Sequence, residues 1–230
     1  TVKLDEKPDD QPVFWFLDFN CREDYQTSDI VKDCFSFMKS NGYTEDNTIF
    51  ILCSDHGYPD PTRGYTPTML KEQNLTHDIF MTEDNIRIPM IISYPECEKG
   101  KKIDEVISTL DLMPTILSML KIDVDDDIRE RWHGLDLMPL ITGSKDPKFL
   151  DRQVRVDARF FGQTGRVSAL RDKKYKYIFS HDNGDEELIS MTDFTIDERN
   201  LIDDPDFSNT GVLDQYRNDF QETEDKGKAF

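Results

Sequence analysis

The sequence predicts an α/β fold followed by a small antiparallel sheet with a helix. Short apolar runs at residues 48–53 and 88–93 are typical of buried strands. Apolar residues recur at helical spacing in residues 28–40 and 111–120. After about residue 145 the pattern changes to short segments separated by Gly, Asp and Asn. This change predicts antiparallel strands joined by turns.

The first part of the chain alternates predicted strands and helices. The predicted elements are, in order, strand 12–19, helix 28–40, strand 48–53, strand 88–93, and helices 111–120 and 132–142. The helix at 28–40 stops at Asn41-Gly42, which is typical of a helix C-terminus. Strand, helix and strand in this order predict a parallel crossover, with the strand at 48–53 fully buried.

The second part begins near Lys145-Asp146-Pro147, which predicts a boundary between domains 1–145 and 146–230. Four short strands are predicted in it, at residues 154–160, 167–170, 175–179 and 187–190. A helix at 212–220 follows them. The second domain is therefore predicted to be a small antiparallel sheet with one helix.

Charge and composition exclude several classes of partner. The chain has 230 residues and a formal net charge of -19, which argues against binding to the phosphates of nucleic acid. No apolar stretch approaches the ~20 residues that a membrane helix needs. The four cysteines are widely spaced without a Cys-x-x-Cys pair, so we expect free thiols rather than a disulfide framework.

Two potential metal ligands stand where the strand at 48–53 ends. Asp55 and His56 follow this strand directly, and Gly57 permits a tight turn after them. Ligands bind beyond the carboxyl ends of strands in open α/β sheets, and Asp and His both bind divalent metals. A polar pair that only caps a helix is the alternative.

Several segments of the chain resemble the sulfatases, which are members of the alkaline phosphatase superfamily. The segment at 46–57 is similar to the family's second metal-binding segment. Others are similar to its patterns E-x-x-x-R-V-P, D-x-x-P-T-x-L and G-x-S-L-x-P-L-L-x-G, and to its C-terminal subdomain, in the expected order: residues 83–92, 108–117, 133–143, 171–178 and 197–201. The resemblance implies a mixed sheet flanked by helices, with its C-terminal half in 1–145 and the small antiparallel subdomain in 146–230.

The resemblance also implies an activity and a missing part. Sulfatases hydrolyse sulfate esters with a nucleophile in the pattern Cys/Ser-x-Pro-x-Arg, which this chain does not contain. We therefore expect the N-terminal half, with the nucleophile, to lie outside this chain, and the chain alone to be inactive. Two alternatives remain: a phosphoric or phosphonic ester hydrolase or phosphoryl-group transferase of the same superfamily, and a non-catalytic binding module.

Five residues are candidates for the site, and the resemblance assigns roles to Asp55, His56 and His77. Asp55 and His56 bind one divalent metal ion, either Ca²⁺ or, because nitrogen ligation favours them, Mn²⁺ or Zn²⁺. His77 stands where sulfatases place a residue that contacts the ester oxygens, so it is the candidate catalytic residue or a further metal ligand, with a purely structural hydrogen bond as the alternative. Lys71 and Arg63 are candidates for binding the anionic ester, with solvated loop positions as the alternative.

Overall fold

The helices and strands of this chain are short. A computed structural model describes residues 13–18, 27–57, 81–159, 166–191, 200–205, 207 and 210–228. Their contacts form two units, Thr1–Thr48 and Ile49–Phe230, which are considered separately below. Within the described residues, no helix is long and apolar enough to cross a membrane.

In its described residues the first unit contains the helix α1 (Thr27–Ser40), which confirms the helix predicted at 28–40. Gly42 follows it with a φ of 83°, a left-handed conformation that suits glycine at a helix end. The strand predicted at 12–19 is wrong for residues 13–18, which form no strand. Phe14 and Phe16 are 76% and 83% exposed. An apolar run favours an extended chain, but it becomes a strand only by pairing with a neighbour.

The second unit begins with two paired strands, β1 (Phe50–Cys53) and β2 (Met90–Ser93). Both strands are predicted by the sequence, but full burial of β1 is wrong. The predicted parallel crossover from residues 12–19 to β1 is not formed in the described chain, because residues 13–18 are not a strand. The two strands are antiparallel, with Ile51 opposite Ile92. Leu52 and Ile91, which also face each other, are 40% and 61% exposed. An apolar run carries no information on the direction of its partner strand.

Two helices pack against this region. The predicted helix at 111–120 is confirmed as α3 (Leu112–Met119), and the one predicted at 132–142 shortens to α5 (Met138–Ile141). Two further short helices are α2 (Glu83–Ile86) and the exposed α4 (Asp126–Arg129). The buried side chains that form this core are Tyr94, Met119, Leu137, Leu140, Ile141 and Phe149.

The predicted small antiparallel sheet with a helix is confirmed. Its strands lie in the order β3 (Val154–Arg159), β4 (Arg166–Arg171), β5 (Tyr175–Ser180) and β6 (Glu186–Ser190). Helix α6 (Val212–Lys228) packs against the sheet through the buried rings of Tyr216 and Phe220. The helix is longer than predicted because its polar C-terminal half lacks the apolar pattern on which the prediction depended.

Buried ion pairs join residues on either side of position 145. Arg152 Nη1 lies 2.6 Å from Asp111 Oδ2, and Arg171 Nη2 lies 3.0 Å from Glu83 Oε2. All four residues belong to the unit Ile49–Phe230. The division into domains 1–145 and 146–230 therefore stays a prediction.

Candidate metal site at the end of strand β1

The predicted metal ligands lie in a tight turn directly after β1. The Ser54 hydroxyl donates a hydrogen bond of 2.6 Å to the backbone oxygen of His56. The Gly57 N–H donates one of 2.7 Å to the backbone oxygen of Asn85 in α2. A Cβ atom on residue 57 would lie 2.0 Å from the backbone oxygen of Asp84. A side chain at position 57 would clash with the backbone of α2. The turn can therefore approach α2 this closely only with glycine at this position.

Hydrogen bonding fixes the protonation pattern of the His56 ring. Its Nδ1 atom lies 2.5 Å from the backbone oxygen of Gly57. A carbonyl oxygen can only accept, so Nδ1 carries the proton and donates it. In the neutral ring Nε2 is then the nitrogen with the lone pair, and it lies 3.4 Å from Asp55 Oδ2. A carboxylate oxygen and an imidazole nitrogen thus stand side by side.

The electrostatic surroundings keep Asp55 ionised. Partial burial acts to raise the pKa of its carboxyl group. The hydrogen bond from the His56 backbone N–H, at 3.0 Å, acts in the opposite direction, and this pKa lies below its ordinary value. The side chain is 83% exposed, so its oxygens are accessible from solution.

The donor chemistry of the pair fits a divalent metal. A carboxylate oxygen and an imidazole nitrogen lie close together. The Nδ1–H of the ring donates to a carbonyl oxygen, as the N–H of a metal-binding histidine commonly does. Two donors do not complete a coordination shell. In the parts of the chain that the structure describes, no group of three or more His, Cys, Asp or Glu side chains is placed to hold a metal ion. Further ligands would have to come from elsewhere.

Three other site residues are predicted by the sequence. His77, Lys71 and Arg63 lie outside the described residues. One constellation next to the turn was missed by the sequence reasoning: the carboxylate of Glu83, at the start of α2, contacts Arg171 and Lys176. In the sequence, the segments 83–92 and 171–178 both resemble the same family. That resemblance does not indicate that Glu83 contacts Arg171 and Lys176.

Comparisons with known proteins agree with one another. A family model described as "N-sulphoglucosamine sulphohydrolase, C-terminal" matches residues 72–226. A choline-sulfatase of Rhizobium meliloti (strain 1021) is 25% identical over 170 residues, which cover 74% of this chain and 29% of the relative. An ulvan-active sulfatase of Formosa agariphila is 29% identical over 176 residues, which cover 74% of this chain and 31% of the relative. The chain thus spans about a third of the length of these curated relatives.

Solved structures with the same fold include two hydrolases. A 2-O GAG sulfatase matches with a TM-score of 0.69 and 24% identity, covering 86% of this chain and 41% of that one. A phosphonate monoester hydrolase from Silicibacter pomeroyi matches with a TM-score of 0.60 and 19% identity, covering 87% of this chain and 38% of that one. At these identities the two structures establish the fold and leave the chemistry open.

Proposed function

The chain belongs to the sulfatase family described as N-sulphoglucosamine sulphohydrolase, C-terminal, and from this premise we propose that a protein containing it hydrolyses sulfate esters with one divalent metal ion. The observation that carries the proposal is the pair of Asp55 and His56 in the turn after β1, with Nε2 and Oδ2 3.4 Å apart. The names of the curated relatives, a choline-sulfatase and an ulvan-active sulfatase among them, support the same reaction class.

In this proposal Asp55 and His56 are two of the metal ligands. Donation from Nδ1 to the Gly57 oxygen holds the imidazole ring so that Nε2 stays on the side of Asp55. A divalent cation bound there would neutralise the developing negative charge on the ester oxygens. The nitrogen ligand favours Mn²⁺ or Zn²⁺ over Ca²⁺, while the carboxylate suits all three.

Three further residues have proposed roles at the substrate. His77 would contact the reacting ester, and Lys71 and Arg63 would bind its anionic group. No Cys/Ser-x-Pro-x-Arg pattern occurs in the chain, so the nucleophile would come from residues outside it. The N-terminal half of the full-length protein is in this sense the partner of this chain.

The second candidate is hydrolysis of a phosphoric or phosphonic ester, or transfer of a phosphoryl group, on the same fold. One observation favours it: a common sulfatase pattern has Asn after the Asp, whereas this chain has His56, a nitrogen donor. A sulfate ester and a phosphate monoester present similar tetrahedral anions, so the same metal pair could serve either. A binding module without catalysis is the third outcome of the test below.

The experiment is metal analysis and hydrolysis by the full-length protein. The parent, the double variant Asp55→Ala/His56→Ala and a control Asp127→Ala are compared. Asp127 lies on the surface and pairs with Arg131 at 3.1 Å, so the control also removes a carboxylate. We expect bound metal in the parent and the control, loss of metal in the double variant, and faster cleavage of 4-nitrophenyl sulfate than of the phosphate.

Each of the other outcomes would change the proposed function or the proposed metal ligands. Faster cleavage of 4-nitrophenyl phosphate, with Zn²⁺ or Mn²⁺ bound, would replace sulfate chemistry by phosphoryl chemistry. Metal that persists in the double variant would remove Asp55 and His56 from the site. An absence of both metal and hydrolysis, under conditions that load and assay a control sulfatase, would leave the binding module.

A further inference from the structure

The C-terminal sheet carries two cations that face each other. Arg171 at the end of β4 and Lys176 in β5 are direct partners in the antiparallel ladder. The Lys176 side chain is fully buried, and the Arg171 side chain is only 17% exposed. Like charges directly opposite each other destabilise a sheet, and burial increases the cost. The pair therefore needs an anion.

Glu83 at the start of α2 provides that anion. Its Oε2 lies 3.0 Å from Arg171 Nη2, and its Oε1 lies 3.4 Å from Lys176 Nζ. Burial acts to raise the pKa of Glu83, but the hydrogen bond from Arg171 and the two positive charges hold it below the ordinary value. The ionised carboxylate and the two cations thus fix the first residue of α2 against the sheet.

Because helix α2 is short, fixing its first residue also limits the movement of the residue that contacts Gly57. It is a single turn, closed by the hydrogen bond of 2.9 Å from the Arg87 N–H to the Glu83 backbone oxygen. The backbone oxygen of Asn85, two residues after Glu83, accepts the Gly57 N–H. Gly57 in turn offers its own backbone oxygen to His56 Nδ1. Each link is a hydrogen bond or a buried ion pair, and none of them includes a long flexible side chain in solvent.

From this path we propose that Glu83, Arg171 and Lys176 are positioning residues for the Asp55–His56 pair. The C-terminal sheet holds α2 through Glu83, and α2 holds the turn that orients the imidazole. The inference rests on the proposed function, because it gives the sheet a role at the metal site. It assigns that role to residues of α2 and of the C-terminal sheet, which lie outside the turn itself.

The test compares Glu83→Gln with Glu186→Gln in the full-length protein. Glu186 in β6 is the matched control: it pairs with Arg217 at 2.5 Å and accepts a hydrogen bond from Tyr177, but has no contact with α2 among those described here. Both variants are studied at the same interval below their melting temperatures. The readouts are hydrogen exchange in the peptide that contains Gly57, and Mn²⁺ affinity measured by electron paramagnetic resonance.

We expect Glu83→Gln to speed exchange at Gly57 about tenfold, as for loss of one hydrogen bond. We expect it to weaken Mn²⁺ binding by about 10–100-fold, the range found when a residue behind a metal ligand is removed. The control changes neither. Lys176→Met, which leaves Glu83 with Arg171, gives smaller changes in the same direction and serves if Glu83→Gln does not fold.

Two results would overturn the inference. In the first, Glu83→Gln alters exchange and Mn²⁺ affinity no more than Glu186→Gln does. The contact of Glu83 with Arg171 and Lys176 would then be purely structural. In the second, exchange at Gly57 rises while Mn²⁺ affinity stays unchanged. Asp55→Ala, measured alongside, separates these from failure of the proposed function: it abolishes Mn²⁺ binding if Asp55 is a ligand and leaves it intact if the metal site is elsewhere.

Discussion

Asp111 is a buried carboxylate with hydrogen bonds to both of its oxygens, and its replacement by asparagine tests how much these bonds contribute to stability. The side chain is fully buried. Its Oδ1 accepts hydrogen bonds of 2.7 Å from the Leu135 N–H and from Arg152 Nη2. Its Oδ2 accepts bonds of 2.7 Å from the Ser108 N–H and 2.6 Å from Arg152 Nη1. Four donors converge on two oxygens.

The expected loss follows from that count. Asparagine has one oxygen, so in either orientation its NH₂ group faces one backbone N–H and one arm of the Arg152 guanidinium. Two hydrogen bonds that involve a charged group are lost, at about 1.5–3 kcal/mol each. Removing one partner of a buried ion pair costs about 3–5 kcal/mol in other proteins. Both routes lead to about 4 kcal/mol for Asp111→Asn, a large part of the stability of an ordinary domain.

The assay is urea denaturation of the purified protein, with thermal unfolding as a second readout. A loss of about 4 kcal/mol lowers the melting temperature by roughly 8–16 °C in a unit of this size. The control is Asp127→Asn, the same chemical change in a surface pair with Arg131, which changes stability by no more than about 0.5 kcal/mol. A loss below about 1 kcal/mol for Asp111→Asn would refute the account of Asp111 as a buried, fully bonded carboxylate.

Two further predictions concern acid stability and a close backbone contact. Burial acts to raise the pKa of Asp157, but hydrogen bonds from Arg155 and Ser168 outweigh it and lower the pKa from 3.8 to about 2. The stabilisation is therefore present above about pH 4 and is lost as the pH falls towards 2. For a side chain that is 45% exposed it amounts to about 1 kcal/mol, and urea titrations between pH 5 and 2.5 should show a smaller acid loss in Asp157→Asn. A Cβ atom on Gly134 would lie 2.0 Å from the backbone oxygen of Leu110, so Gly134→Ala is expected to lose about 2 kcal/mol or more in the same assay.

Local sequence signals predicted the elements whose pattern is self-contained. The strands and the helix of the C-terminal sheet are marked by alternating apolar residues and by turns, and all of them are present. The same reasoning failed for residues 13–18 and for the burial of β1, because a strand is defined by its neighbours and the neighbours are not encoded locally.

The candidate site was predictable to the extent that it is contiguous. Asp55, His56 and Gly57 are adjacent, and the end of an apolar strand indicates where they stand. The supporting contacts are not contiguous. Lys176 is separated from Glu83 by 93 positions, and a lysine in a strand is ordinarily expected to face solvent.

The pairing of Arg171 with Lys176 could nevertheless be predicted from the sequence. The turn at Asp172-Lys173-Lys174 makes Arg171 and Lys176 cross-strand partners, which places two cations on one face of the sheet. Two buried cations on one face of a sheet need a carboxylate nearby to balance their charge. The residue that supplies it must be acidic and must belong to a segment that contacts the sheet. Glu83 meets both conditions because α2 lies beside the end of β4. The burial of the two cations, which only the structure shows, is what makes this face of the sheet the place where the acidic residue of α2 docks.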